Sequence, residues 1–180
     1  MDDEAVELEP PLTQVAWAEE FAARSLETFF VFLRDDRAWV LRPIHATSLL
    51  LGWAPSMQPG SVVVDAAGRY GLDPIVVHST SWRTIEDRLV LTYVAVVEPP
   101  ASPGPHLVAE RVARSELARG DRLAAPADIE VAAVIEHAFR HLRWLLDDDP
   151  VLHKALADWT LVLNAYQPEP FRAFAADPPP

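Results

Sequence analysis

The chain has 180 residues, half of them hydrophobic, no cysteine, and a formal charge of −12. Its length gives room for one domain with at most an appendage, and the hydrophobic share argues against a disordered chain. The lack of cysteine excludes disulfides, thiolate metal sites and cysteine nucleophiles, while the acidity argues against nucleic-acid binding, which needs a concentrated positive face.

The first residues, M-D-D-E-A-V-E-L-E-P-P, are acidic where a secretory signal would be basic and then apolar. No apolar run approaches the roughly 20 residues that span a bilayer, so a cytoplasmic protein without membrane contact is expected. Fourteen arginines against the single Lys154, with heavy alanine and proline use, suggest a GC-rich bacterial genome.

Residues 1–12 read as a flexible acidic leader. Thr13 can cap a helix from Gln14 to about Ser25, with Val15, Ala18, Phe21 and Ala22 as its apolar stripe. Thr28–Leu33 and Ala38–Ile44 flank the charged turn Arg34-Asp35-Asp36-Arg37 and predict a hairpin, with Pro43 placing the second strand at an edge or near its end. His45–Leu51 fits a short strand or a helical turn equally well. Val62–Tyr70 predicts a short helix stopped by Gly71, followed by a turn at Asp73-Pro74. Ile75–His78 and Leu89–Val97 read as strands, the second nearly continuous in apolar residues and therefore central.

Pro99–Pro105 breaks the pattern, and Leu107–Leu123 is arginine- and alanine-rich with weak helical periodicity. Asp128 is a candidate cap for a strong helix, Ile129–Leu146. Asp149-Pro150 is a good cap and first-turn pair for a last helix reaching about Tyr166. The organisation predicted is a leader (1–12), an α/β core (13–98), a connection (99–128), a helical pair packed on the core (129–166) and a proline-rich tail (167–180). Phe29–Val97 is expected to form one mixed sheet with the Val62–Tyr70 helix on it.

Between Gly52 and Val97 the order is Trp-x-Pro, Pro-Gly, Ala-Ala-x-Arg, Gly-Leu-Asp-Pro, an apolar strand, Ser-Trp-Arg and a long apolar strand. This resembles the core of a Nudix hydrolase around its metal-binding loop and helix. The resemblance covers about 45 residues, or about 70 with the hairpin, and implies an α+β fold: a Nudix-like mixed sheet with flanking helices. Trp53 and Pro55 match the region before the family's loop, Gly60 the glycine of its Gly-Glu, and Ala66, Ala67 and Arg69 the front of its helix. Ser61 stands in place of the acid, and Arg69 runs directly into Tyr70-Gly71-Leu72, where the family carries its magnesium-binding glutamates. The resemblance therefore implies a degenerate domain without cofactor or catalytic residues, acting as a ligand-binding or protein-interaction module. The alternative is a hydrolase of a nucleoside-diphosphate-linked substrate that holds Mg²⁺ on re-sited carboxylates, for which Asp65, Glu86 and Asp87 are the only acids nearby.

Arg42, Arg69, Arg83 and Arg88, with Trp53 and Trp82 as stacking partners, are candidates to grip a nucleotide-like small molecule. Surface ion pairing is the competing reading of these arginines. His137 and His141 lie one helical turn apart and can share a metal. With Trp144 they form a flank beside the apolar face Val134, Ile135, Ala138, Phe139, Leu142, Leu145 and Leu146. Packing under the last helix or against a partner, such as a second copy in a homodimer, is the preferred account of that flank. Asp147, Asp148 and Asp149 suit helix capping better than a calcium loop.

Overall fold

The computed structural model describes residues 24–54, 56–85, 88–117 and 129–169. Among these residues six strands form one mixed sheet: β1 (Arg24–Arg34), β2 (Arg37–Pro43), β3 (Leu49–Gly52), β4 (Pro74–Ile85), β5 (Arg88–Val97) and β6 (Leu107–Arg111). Among the described residues four helices accompany it: α1 (Pro59–Arg69), α2 (Val131–Asp148), α3 (Pro150–Ala155) and α4 (Thr160–Leu163), the last two joined through a 3-10 turn at Ala157–Trp159. The class is α+β.

The strand order is β4-β5-β1-β2-β6, with β3 also on β1. β1 is the axis. It runs parallel to β5 on one edge and antiparallel to β3 and β2 on the other, where β3 takes residues 25–28 and β2 residues 30–34. α1 covers one face, packing Val63, Ala66 and Ala67 among Leu26, Phe30, Phe32, Leu41 and Val97. The other face, with Phe29, Val31, Val94 and Val96, lies under α2 and the helices after it. A strand buried on both faces must be apolar at consecutive positions, which explains the run Thr-Phe-Phe-Val-Phe in β1.

Local chemistry fixes the joints. Asp35 and Asp36 both have positive φ, 52° and 53°, as a two-residue type I′ hairpin turn requires, and aspartate tolerates that region better than most residues. α1 ends at Gly71, φ +66°, where the Leu72 N–H reaches the Ala67 carbonyl and the Gly71 N–H reaches Gly68. That bonding closes a Schellman motif, and Leu72 is buried behind it. The Asp149 carboxylate accepts from the backbone N–H groups of Val151 and Leu152 and starts α3 with Pro150.

The hairpin, the α1 helix with its glycine stop, the interior strand at 89–97 and the Asp149 cap all stand as the sequence predicts. Every apolar-face residue expected on α2 is buried. His45–Leu51 resolves as a strand, but only from Leu49. Pro43 ends β2, which lies inside the sheet between β1 and β6.

Four expectations are corrected. The first helix cannot reach Ser25, because Arg24 and Ser25 already pair with β5, and Ser25 also with β3; the rest of that helix lies outside the described residues. Leu107–Arg111, placed in the connection with a helical leaning, is instead strand β6, because its half-apolar residues extend the sheet beside β2. α2 begins at Val131 after an extended Glu130, without a side-chain cap, while Asp128 lies outside the described residues. The last helix is broken at Leu156 (φ −108°, ψ 26°), where the Trp159 N–H takes the shorter bond to the Leu156 carbonyl. The break keeps Leu156, Trp159 and Leu163 in the core, and no glycine or proline announces it. Among the described residues no helix is long and apolar enough to cross a membrane.

Candidate functional site

The six candidate ligand-binding residues do not converge. Trp82 opposes Leu91 on the α1 side of the sheet and is 67% exposed. Trp53 follows β3, donates its indole N–H to the Met57 carbonyl, and lies under the Arg24 guanidinium. Arg83 points to the opposite face. Arg42 lies at the other end of the sheet in a 2.7 Å ion pair with Glu110, and Arg69 and Arg88 are exposed. Asp65 is exposed on α1, and Glu86 and Asp87 lie outside the described residues. Among the described residues no three histidine, aspartate or glutamate side chains are grouped to hold a metal.

Arg83 is instead part of a buried polar cluster. Its Nη1 lies 2.7 Å from Glu27 Oε2 and 3.1 Å from the Thr92 hydroxyl, which itself donates to Glu27. The Ser48 hydroxyl donates to the other carboxylate oxygen. The pair is nearly enclosed, with side-chain exposures of 5% for Glu27 and 12% for Arg83. A carboxylate at that depth is tolerable only with such partners.

A second buried acid, Glu136, sits on α2 with no solvent exposure. Arg114 grips it with Nε and Nη2, both at 2.9 Å, Arg140 donates from the same helix, and the Ser115 N–H adds a fourth bond. Burial alone would raise the Glu136 pKa, but the hydrogen bonds from the two arginines outweigh it and hold the carboxyl below its ordinary range. Arg114 also donates to the Ala165 carbonyl and lies 4.0 Å over the Tyr166 ring. Burial, then the Glu136 charge, pushes Tyr166 up to about 12. The clamp ties the segment after β6, α2 and the end of α4 together.

The flank of α2 is largely internal. His141 is fully buried and its Nε2 meets Nε2 of His78 on β4 at 3.1 Å. The rings are within 15° of parallel with centroids 5.1 Å apart, so the nitrogens face each other edge to edge, one donating and the other accepting. Burial first, and the neighbouring His141 second, depress the His78 pKa against an opposing pull from Asp149. Trp144 leans on His141 and is half-buried, as is His137. His137 and His141, expected to share a flank, are thus drawn apart in role: one reaches into the core and the other stays near the surface.

Sequence reasoning singled out Arg83 and His141 without their partners and passed over Glu27 and Glu136. The available signal was an acid set within apolar neighbours, in Ser-Leu-Glu-Thr-Phe-Phe and in Val-Ile-Glu-His-Ala-Phe. Comparison of the chain with models of known protein families gives no match, and comparison with curated proteins gives none either.

Proposed function

We propose that this chain is a non-catalytic interaction module whose open sheet edge receives an extended segment of another protein. The observation that carries this reading is the exposure of Trp82 on β4. That twelve-residue strand pairs only with β5 among the described residues, and it also leaves Ile75 and Ile85 substantially exposed. Unpaired strand edges with apolar side chains are templates for strand addition, in which the backbone supplies affinity and alternate side chains supply specificity. Two bulges in β4 limit uncontrolled pairing.

The acids support the same reading. Glu27 and Glu136 are neutralised by arginines of their own chain, so neither is poised for proton transfer or for a substrate. The likeness to Nudix domains agrees from the sequence side, since Ser61 stands in place of one acid and Arg69 runs directly into Tyr70-Gly71 without the residues that carry the magnesium-binding glutamates.

The test is a selection of extended peptides against the whole chain, followed by amide hydrogen exchange of the complex. Slowed exchange along the β4 edge, with binding weakened by Trp82→Ser, is the expected result. Magnesium-dependent cleavage of a nucleoside-diphosphate-linked substrate at ordinary enzyme rates, about 10 per second, would overturn the reading.

A further inference from the structure

The opposite end of the sheet carries a different surface. β6 pairs with β2 on one side and with no described strand on the other. At its end a shallow groove of about 340 Å³ opens between the β1–β2 turn, the residues after β6 and the end of α4. Arg37, Arg111 and Arg114 line it together with Leu161, Val162 and Tyr166, against a single acid, Asp36. Arg37 and Arg111 are exposed and make no ion pair among the described residues. Arg114 is fixed by Glu136 beneath it and by the Tyr166 ring, yet its side chain is half exposed.

In a chain of charge −12 this corner reverses the local sign, which favours an anionic partner. Guanidinium forks match carboxylates in geometry as well as charge. The groove is too open to enclose a small molecule, most of whose surface a ligand pocket would bury. It is continuous with an edge of β6 that no described strand covers, and Leu161, 70% exposed, adds an apolar contact.

We propose that β6 and this groove form a docking surface for an extended peptide that alternates acidic with apolar residues. The peptide adds as a strand beside β6, sets its carboxylates on Arg111 and Arg37, and lays an apolar side chain on Leu161. This rests on the interaction-module reading and adds to it a second edge, at the other end of the sheet from β4, with its own partner chemistry.

The test uses the whole chain and a dye-labelled synthetic peptide alternating glutamate with valine, read by fluorescence anisotropy. Binding that weakens steeply with added salt, and at least roughly tenfold in Arg37→Glu with Arg111→Glu, is expected. The two side chains are exposed, so an unchanged melting temperature in the double variant separates lost binding from lost fold. Equal binding of a lysine–valine peptide, displacement by millimolar inorganic phosphate or free glutamate as effective as by unlabelled peptide, or no binding at all, would overturn the proposal. Binding unchanged in the double variant but lost in Trp82→Ser would also overturn it, moving the peptide to β4 and leaving the module reading intact.

Discussion

Glu27 on β1 and Arg83 on β4 form a 2.7 Å ion pair although β5 runs between their strands. The intervening Thr92 of β5 joins the contact, accepting from the arginine and donating to the acid. One polar line thus crosses three strands on the face of the sheet that also carries His78.

Arg83→Ala leaves the Glu27 carboxylate buried without its cation and should destabilise the fold by about 3–5 kcal/mol, measured by urea unfolding. Replacing both residues with leucine should recover most of that loss, because a packed apolar pair avoids the cost of an orphaned charge. A double variant no more stable than Arg83→Ala would show that the pair's charges hold the strands together.

Glu136→Gln should cost a comparable amount, since it leaves Arg114 and Arg140 converging on a neutral group. The pH dependence follows from the depressed Glu136 pKa. Its contribution is fully present above the unfolded value of about 4.5 and is lost as pH falls through the lower folded value. Wild-type melting temperature should therefore drop in that acidic range, and the Glu136→Gln protein should drop less steeply there.

The His78–His141 contact gives a dependence at higher pH. The folded His78 pKa lies below 6.5, so the unfolded chain binds its proton more readily. The contribution of His78 is fully present above 6.5 and declines as pH falls below it, because burial disfavours the charged ring and the facing Nε2 atoms cannot both carry protons. An NMR titration should place the His78 midpoint below 6.5. His78→Gln, whose amide can still donate to His141, should flatten the stability profile below pH 6.5.

Two glycines three positions apart should respond with opposite signs. Gly68 lies inside α1, and a methyl group added there would meet no other atom within 4 Å, so Gly68→Ala should stabilise by about 0.5–1 kcal/mol. Gly71 has equal space but φ +66°, so Gly71→Ala should cost about 1–2 kcal/mol. Thermal melts of the two single variants test the pair.

The parts of this fold that were legible in the sequence are those whose causes are local. The Asp35-Asp36 turn, the Gly71 stop and the Asp149-Pro150 cap each depend on a few adjacent residues. β6 was not legible, because five residues of weak pattern become a strand only when β2 offers an edge. The bend at Leu156 was hidden for a similar reason, with packing and no breaker residue deciding it. The polar clusters depend on contacts of long reach: His78 and His141 are 63 positions apart, and Thr92 and Glu27 are 65. An isolated acid within apolar neighbours announces that a partner exists, but only the assembled sheet says which arginine it is.

The parallel pairing of β1 with β5 also shapes how the chain matures on the ribosome. β1 is the first described strand to be synthesised, yet it occupies the middle of the sheet and carries three phenylalanines. Its β2 and β3 neighbours emerge soon after, but its other edge stays open until residues 88–97 have left the exit tunnel. Closure of such a distant contact is slow compared with hairpin formation. The nascent chain therefore passes through an interval in which this phenylalanine-rich strand is half-paired, and that interval is when aggregation or chaperone capture competes with folding.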